Sequence, residues 1–220
     1  TPGVTARKHD QADEHERILR EQMVQKLRRG CEHALITGAI GVCSARVDAN
    51  SFLITPQGMD NALLEEGDLV LVQGDTAEAG KSPALESPLH AAIYRSHPQI
   101  NAIFSAAPAH VAAFAGSTQA YETSTVPESY YMLRSVPRRP MREFLSDPES
   151  TAALFSAKTP VVLFENSRIV TTGETLFTAF DRLEVAEATA ASILVARDAG
   201  TVILLSEEEI QALRTTFHLA

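Results

Sequence analysis

Two neighbouring runs decide the fold of this chain: Leu35-Ile36-Thr37-Gly38-Ala39-Ile40-Gly41-Val42-Cys43-Ser44-Ala45-Arg46 and Phe52-Leu53-Ile54-Thr55-Pro56-Gln57-Gly58-Met59. Residues 42–47 and 51–55 flank a polar turn, Asp48-Ala49-Asn50, and this pattern predicts a β-hairpin. The second strand must end at Pro56, because proline cannot continue a central strand and Gly58 permits a tight turn. The sequence therefore predicts that a sheet begins here.

Apolar patterns on both sides of the hairpin predict a mixed order of helices and strands. Further strands are expected at 68–73, 101–105, 161–164, 168–172 and 202–205. Helices are expected at about 10–34, 86–96, 108–115, 151–158, 174–197 and 207–213. This mixture is typical of one α/β sandwich with helices on both faces of the sheet. We expect a flexible arm over residues 1–9 and a single domain over 10–220.

Composition limits the class of partner. The net charge is −9, from 19 basic and 28 acidic residues, which argues against a nucleic-acid or anionic-membrane partner. No apolar stretch approaches the ~20 residues of a membrane span. The two cysteines, Cys31 and Cys43, fit reduced thiols better than a disulfide framework. We therefore expect a cytoplasmic protein.

Two more segments follow the hairpin in order. One is Glu86-Ser87-Pro88-Leu89-His90-Ala91-Ala92-Ile93-Tyr94 with Pro98-Gln99-Ile100-Asn101-Ala102-Ile103, and the other is Val161-Val162-Leu163-Phe164-Glu165-Asn166 with Gly173-Glu174-Thr175-Leu176. Together the three segments resemble the class II aldolase/adducin family. They are similar to its Gly-Asn-x-Ser-x-Arg strand with Ile-Thr-Pro-Ser-Gly, to its Glu-x-Pro-x-His helix, and to its last strands and long helix. The resemblance covers roughly residues 12–200.

The resemblance implies a fold and a chemistry. The expected fold is a three-layer αβα sandwich with a central mixed, largely antiparallel sheet. Members usually form homo-tetramers with sites at subunit contacts. In the aldolases and epimerases a zinc or similar ion is held by three histidines and approached by one glutamate. The metal acts as a Lewis acid on a ketose carbonyl.

The metal-ligand positions of the family depart from its pattern in this chain. Glu86 matches the family's acid and is the expected catalytic residue, if there is one. The His-x-His pair is replaced by Ser105 and Ala107, and the third histidine by Ser167. Hydroxyl and methyl groups are poor zinc ligands. We therefore predict no metal and no other cofactor.

The phosphate-binding positions are also altered. Val42 replaces the family's asparagine, and Ala84-Leu85 replaces a pair of serines before Glu86. Thr37, Gly38, Gly41 and Ser44 remain as ligand-pocket candidates, although they also suit the turn and strand. Loss of metal and phosphate contacts together argues against a phosphorylated ketose held in the family's manner.

Three other residues are candidates for the altered pocket. His90 lies one helical turn after Glu86, and the sequence favours a packing or hydrogen-bonding role for it. His110 begins the next helix, so a replacement site from Glu86, His90 and His110 is a weaker alternative. Arg168 stands where the family has a small glycine. We expect its side chain to fill the space and pair with Glu86, which relieves a buried carboxylate.

One arginine cluster lies outside this pocket. Arg134, Arg138 and Arg139 surround Pro137, and they fit either an anion-binding patch or an exposed loop, of which the loop is favoured.

The sequence leaves three functions in competition. The first is a non-catalytic family member used for assembly. The second is a binder of a sugar or acid that performs no chemistry. The alternative to both is a divergent aldolase or epimerase that acts on a sugar or carbonyl substrate with a site rebuilt around Glu86. A homo-oligomer is expected in each case.

Overall fold

The structure is a computed structural model that describes the backbone of residues 2–219 and the side chains of residues 13–219. The described helices are α1 (Pro2–Glu32), α2 (Ser87–Ser96), α3 (Ala109–Ala115), α4 (Pro127–Leu133), α5 (Glu143–Ser146), α6 (Pro148–Ala152), α7 (Leu176–Ala199) and α8 (Glu207–Thr216). The described strands are β1 (Val42–Arg46), β2 (Ser51–Ile54), β3 (Val70–Gln73), β4 (Thr76–Ala77), β5 (Ala102–Ala106), β6 (Arg138–Arg139), β7 (Val161–Phe164) and β8 (Ile169–Gly173).

All eight described strands form one sheet in the order β4-β3-β2-β1-β5-β8-β7-β6. Neighbours are antiparallel except β6 and β7, which are parallel. The predicted mixed, largely antiparallel sheet is confirmed. β1 and β2 form the predicted hairpin, and β1 also pairs with β5, which places Val42 beside Ser105.

Helices cover both faces of this sheet. α1, α3, α4 and α7 lie on one face, where Cys43, Phe104 and Phe180 belong to one apolar core. α2, α5 and α6 lie on the other face over a second core that contains Val42 and Ile103. Because strand side chains alternate between faces, Ser44 and Ser105 must point towards α2. The three-layer αβα sandwich is confirmed.

Two secondary-structure predictions were wrong. Residues 202–205 are not a strand, because they do not pair with the sheet and the Leu205 amide instead donates to the carbonyl of Ser124 in a loop. The helix predicted at 151–158 is α6, which runs from Pro148 to Ala152. It begins early because the Asp147 carboxylate accepts a hydrogen bond from the Ser150 amide and caps the first turn.

The N-terminal region gives less information. α1 includes the backbone of residues 2–9, whereas Thr1 and the side chains up to residue 12 lie outside the described part. The flexible arm over 1–9 and the single domain over 10–220 therefore stay predictions. No described helix is both long and apolar enough to cross a membrane.

Candidate functional site

The loop before β1 is fixed by a tight turn in which Thr37 and Ile40 exchange backbone hydrogen bonds. Gly41 follows with a φ of +141°, and a Cβ there would lie 2.8 Å from the Ile36 side chain. Glycine is therefore required at 41 for both conformation and space. Thr37 and Gly38 are exposed on the outer side of the turn, so of the glycine-loop candidates only Gly41 lines the cavity described below.

Asn61 holds this loop from outside. Its side-chain amide donates to the carbonyls of Gly38 and Gly41, at 2.9 and 3.1 Å, and the residue is buried. Asn61 was not predicted as a site residue, since nothing local in the sequence relates residue 61 to residues 38 and 41.

Glu86 lies at the start of α2, where its side chain is only 4% exposed. Its Oε1 forms an ion pair with Arg168, which precedes β8 and is partly buried. The Arg168 guanidinium also lies 5.1 Å from the centre of the Phe144 ring. The predicted pair of Arg168 with Glu86 is thus present, and the cation is stacked against an aromatic face.

A chain of buried polar groups continues from Glu86 into the protein. Glu86 Oε2 lies 3.6 Å from His90 Nε2. His90 Nδ1 lies 2.7 Å from Ser44 Oγ, which is itself 2.7 Å from the Tyr94 hydroxyl. His90 and Ser44 have no exposed surface. Burial raises the pKa of Tyr94 well above its usual value, so this hydroxyl stays neutral.

One direction of proton donation suits this chain best. The Tyr94 hydroxyl donates to Ser44, and Ser44 donates to His90 Nδ1, so the imidazole proton lies on Nε2 and faces Glu86. The opposite direction would set the Nε2 lone pair against a carboxylate oxygen. We infer that every donor in the chain is oriented towards Glu86.

Arg46 fixes the helix that carries these groups. Its guanidinium donates to the carbonyls of Tyr94, His97 and Ile100 at 2.8–3.0 Å and lies 4.7 Å from the centre of the Tyr94 ring. These bonds satisfy carbonyls near the end of α2. The arginine of the strand motif is therefore a positioning residue for α2.

Several polar atoms here lack a partner. Of the five buried side-chain polar atoms without a hydrogen bond in the described part of the chain, four are Glu86 Oε2, His90 Nε2, Ser105 Oγ and Arg168 Nε. Ser105 lies on the same face of the sheet, beside Val42 and Val170. Buried polar groups are rarely left unpaired, and such a concentration is typical of a ligand site or of bound water.

A cavity of about 430 Å³ opens against the Glu86–Arg168 pair. Its polar wall includes Gln57, Arg142, Ser146 and Ser167, and its apolar wall includes Ile40, Val42, Pro56, Leu85, Met141, Phe144 and Leu145. This size is within the usual range for small-molecule sites. Arg142 and Arg168 both line the cavity, and Glu86 is the one acidic residue in its wall, so the lining has an excess of positive charge.

The remaining candidates do not gather at this cavity. Ser167 lines it, whereas Ser105, which is fully buried, and Ala107 are not part of its wall. His110 is on α3, in the opposite helical layer, where its Nδ1 lies 2.6 Å from Glu187. The structure does not bring His110 near Glu86 and His90.

These residues do not fit a divalent metal ion. Glu86 is already paired with the positive charge of Arg168, and the candidate positions 105, 107 and 167 carry hydroxyl or methyl groups, which are poor ligands for zinc. Among the residues whose side chains are described, no three His, Cys, Asp or Glu side chains are grouped so that they could hold a metal.

The arginine cluster around Pro137 is divided. Arg138 donates to the carbonyls of Phe114 and Gln119 at 2.9 and 2.8 Å, and Arg139 pairs with Glu143 at 2.8 Å. Arg134 lies at the end of α4 and lines a different cavity from Arg138. The three arginines therefore do not form one anion-binding patch.

The fold and the arrangement around Glu86 define a class II aldolase-type domain. Residues 21–194 match the family model described as "Class II Aldolase and Adducin N-terminal domain", and this chain belongs to that family. It is similar to the methylthioribulose-1-phosphate dehydratase of Serratia proteamaculans, with 38% identity over 29% of this chain and 32% of the relative. It is also similar to the 5-methylthioribulose-1-phosphate/5-deoxyribulose-1-phosphate aldolase of Escherichia coli, with 31% identity over 54% of each chain. The chain thus matches only about a third to a half of the length of these relatives.

Solved structures resemble a larger share of the chain. The putative aldolase/epimerase/decarboxylase YgbL of Escherichia coli superposes with a TM-score of 0.81 at 25% identity, over 90% of this chain and 99% of YgbL. The L-fuculose 1-phosphate aldolase of Glaciozyma antarctica superposes with a TM-score of 0.77 at 19% identity, over 93% and 83%. The second likeness concerns the fold alone.

Proposed function

We propose that this chain is a ligand-binding member of the class II aldolase family that works without the family's metal. The buried ion pair between Glu86 and Arg168 carries the proposal. In a metal-dependent member the carboxylate would approach a divalent ion, whereas here a guanidinium neutralises it. The relatives' names refer to sugar-phosphate dehydratases and aldolases, and we do not extend those activities to this chain.

The chemistry of the cavity favours a small organic acid as the ligand. Arg168 keeps a buried Nε–H without a partner beside the cavity, and Arg142 adds a second cation at its wall. A guanidinium recognises a carboxylate through paired hydrogen bonds. The apolar residues Ile40, Leu85 and Met141 would contact the carbon chain of such an acid. We favour this binding role over assembly alone, because assembly does not require a cavity of this kind.

The proposal is tested first by metal content and turnover. Protein purified without chelator should contain no stoichiometric zinc or other divalent metal. It should not cleave L-fuculose 1-phosphate, with or without added zinc. Stoichiometric zinc that disappears in Glu86→Gln, or metal-dependent cleavage lost in the same variant, would overturn the proposal.

A second test addresses the ligand. A thermal-shift screen of small mono- and dicarboxylic acids at constant pH and ionic strength should raise the melting temperature of the wild-type protein. Arg142→Gln should reduce that rise, because it removes a cavity cation without breaking the Glu86–Arg168 pair. Arg95→Gln is the matched control, since Arg95 is an exposed arginine paired with Glu149 away from the cavity.

A rebuilt enzyme is the second candidate, and one observation favours it. Glu86 Oε2 and His90 Nε2 are buried, unpartnered and 3.6 Å apart, which is an arrangement able to exchange a proton with a bound carbonyl compound. Turnover of a non-phosphorylated sugar or keto acid, abolished by His90→Gln in a variant that still folds, would establish this candidate instead.

The proposal includes a homo-oligomer, a tetramer by resemblance, and a cytoplasmic location. Ile40, Leu63, Leu85 and Met141 are between 56% and 75% exposed, and three of them stand at the cavity wall. Such apolar side chains are typical of contact surfaces between subunits. Light scattering coupled to size-exclusion chromatography measures the mass directly, and a 23.8 kDa species at micromolar concentration would contradict the oligomer.

A further inference from the structure

A second cavity, of about 450 Å³, lies beside α4, which is in the helical layer opposite that of α2 and Glu86. It is enclosed by loop 121–124, the end of α4 and one face of α8, and its cationic residues are Arg134, Lys158 and Arg214. The only acidic residue in its wall is Glu122. The cavity therefore has two excess positive charges, in a chain whose net charge is −9.

The cations of this cleft are not used by ion pairs. Within the part of the chain whose side chains are described, Arg134, Lys158 and Arg214 make none, whereas Arg138 and Arg139 nearby are each paired with a glutamate. Arg134 also lies close enough to Arg214 for the two positive charges to repel each other. Burial, the larger effect, and this neighbour both lower the pKa of Arg134. An unneutralised group of cations is the electrostatic signature of an anion site.

Arg134 is held in an unfavourable backbone conformation. Its φ and ψ are +57° and −137°, which a residue with a Cβ rarely adopts. Two local hydrogen bonds stabilise this conformation. The Arg134 amide donates to the Tyr130 carbonyl, and the Arg134 carbonyl accepts a 2.6 Å hydrogen bond from the Thr123 hydroxyl. Strained residues of this kind concentrate where a side chain must be presented to a ligand.

The opposite wall comes from α8. Arg214 Nε donates to the Tyr130 hydroxyl at 2.8 Å, and the rings of Tyr131 and Phe217 pack at 4.7 Å, so α8 is docked on α4. Ile210 and Val136 give the cleft an apolar side. The family match ends at residue 194, so the part of the cleft formed by α8 lies outside the matched residues.

We propose that this cleft binds a small phosphorylated organic molecule, with its phosphate held by Arg134, Lys158 and Arg214. Two excess charges match a phosphomonoester dianion, and arginine binds phosphate oxygens in pairs. The volume exceeds that of phosphate alone, and the apolar side formed by Ile210 and Val136 accommodates an organic group. This site is independent of the organic-acid cavity at Glu86.

Calorimetric titration at constant ionic strength tests the proposal, with glycerol 3-phosphate, inorganic phosphate and glycerol as probes. Arg134→Gly is the sharpest variant, because it removes the guanidinium and supplies the one residue suited to a positive φ. Its melting temperature without ligand should be equal to or above that of the wild type, while its affinity for glycerol 3-phosphate should fall about tenfold or more. Lys158→Gln should weaken binding without touching the strained residue.

Arg17→Gln is the matched control, since Arg17 is an exposed arginine of α1 outside both cavities. It should bind glycerol 3-phosphate like the wild type, as should Arg142→Gln, which alters only the other cavity. The proposal is overturned if no phosphate probe binds, or if Arg134→Gly and Lys158→Gln bind as tightly as the control. Equal affinity for inorganic phosphate and its glycerol ester would overturn the organic part of the assignment.

Discussion

The Glu86–His90 pair and the Glu187–His110 pair combine the same two residue types on opposite faces of the sheet. Glu187 is fully engaged: its two carboxylate oxygens accept from the amides of His110 and Val111 at 3.1 and 3.0 Å, and Oε1 also contacts His110 Nδ1 at 2.6 Å. The His110 side chain is 48% exposed. This pair caps the start of α3 and fixes it to α7.

The Glu86–His90 pair differs from it in burial and in how many of its polar atoms are hydrogen-bonded. His90 is fully buried, its Nε2 and Glu86 Oε2 lack partners, and among the described side chains Arg168 alone forms an ion pair with the carboxylate at hydrogen-bonding distance. A buried carboxylate that needs a cation and still keeps an unpaired oxygen costs stability. A glutamate–histidine pair is thus structural when its polar atoms are hydrogen-bonded to the backbone. It is a candidate site when buried polar atoms of the pair have no partner and lie next to a cavity.

The largest effect is expected from Arg168→Met. It leaves Glu86 buried without its cation, so the free energy of unfolding should fall by about 3 kcal/mol, measured by urea denaturation. The double variant Glu86→Leu/Arg168→Met should recover most of the loss, because neither charge is then buried. If Arg168→Met alone is as stable as the wild type, the ion pair does not contribute to stability, and the two glutamate–histidine pairs do not differ in the way described.

A smaller loss is expected from Ser44→Ala. The change leaves His90 Nδ1 and the Tyr94 hydroxyl without their shared partner, at a cost of about 2 kcal/mol. Ser192→Ala is the matched control, because Ser192 on α7 is partly exposed and bonds only to the carbonyl of Thr189 within its own helix. Equal, small losses in both variants would show that the buried chain from Tyr94 to Glu86 is not cooperative.

Tyr94, at the buried end of the chain of polar groups from Glu86, should make the stability of the protein depend on pH. Its pKa is raised by burial, so above pH ~10 the unfolded chain loses a phenolic proton that the folded chain keeps. Stability should therefore fall as the pH rises, by about 1.4 kcal/mol per pH unit for this group. Tyr94→Phe should flatten the decline between pH 10 and 11, as followed by thermal unfolding. A slope identical to that of the wild type would contradict this origin.

The smallest effect is expected at the capping pair. Glu187→Gln keeps an acceptor for one of the two α3 amides, leaves the other to water and removes the negative charge at the helix start, which together should cost about 1 kcal/mol. The loss should shrink in 1 M salt, since His110 and Glu187 are near the surface. A loss as large as that of Arg168→Met would place the two pairs in the same class and remove the distinction drawn above.

Most of the fold could be predicted because its signals are local. The hairpin at β1 and β2 follows from apolar runs around a turn, and the alternation of its residues indicates which face Ser44 occupies. The segment 202–205 has the same apolar pattern, but a strand also needs a strand to pair with, and this segment bonds to the loop at Ser124 instead. β4 and β6 form the two edges of the sheet, and strands only two residues long leave no periodicity to detect.

Parts of the site could be predicted where the signal was a single substituted position or the spacing of residues along one helix. The pairing of Arg168 with Glu86 follows from a long cation at a position where a small residue is expected. Tyr94 could have been found as well, because it lies one helical turn beyond His90 on the face of α2 that includes Glu86. Asn61 and the Arg134 cleft could not, since both depend on contacts between segments far apart in the sequence.

Arg168 also has a consequence for the order in which such a site can change. The guanidinium beside Glu86 Oε1 opposes the approach of a divalent ion to the same carboxylate, because their positive charges repel each other. Histidines introduced at 105, 107 and 167 should therefore bind zinc more weakly while residue 168 keeps its charge. The order of such substitutions matters, since loss of the Arg168 charge before the histidines are present leaves the Glu86 carboxylate without a cation.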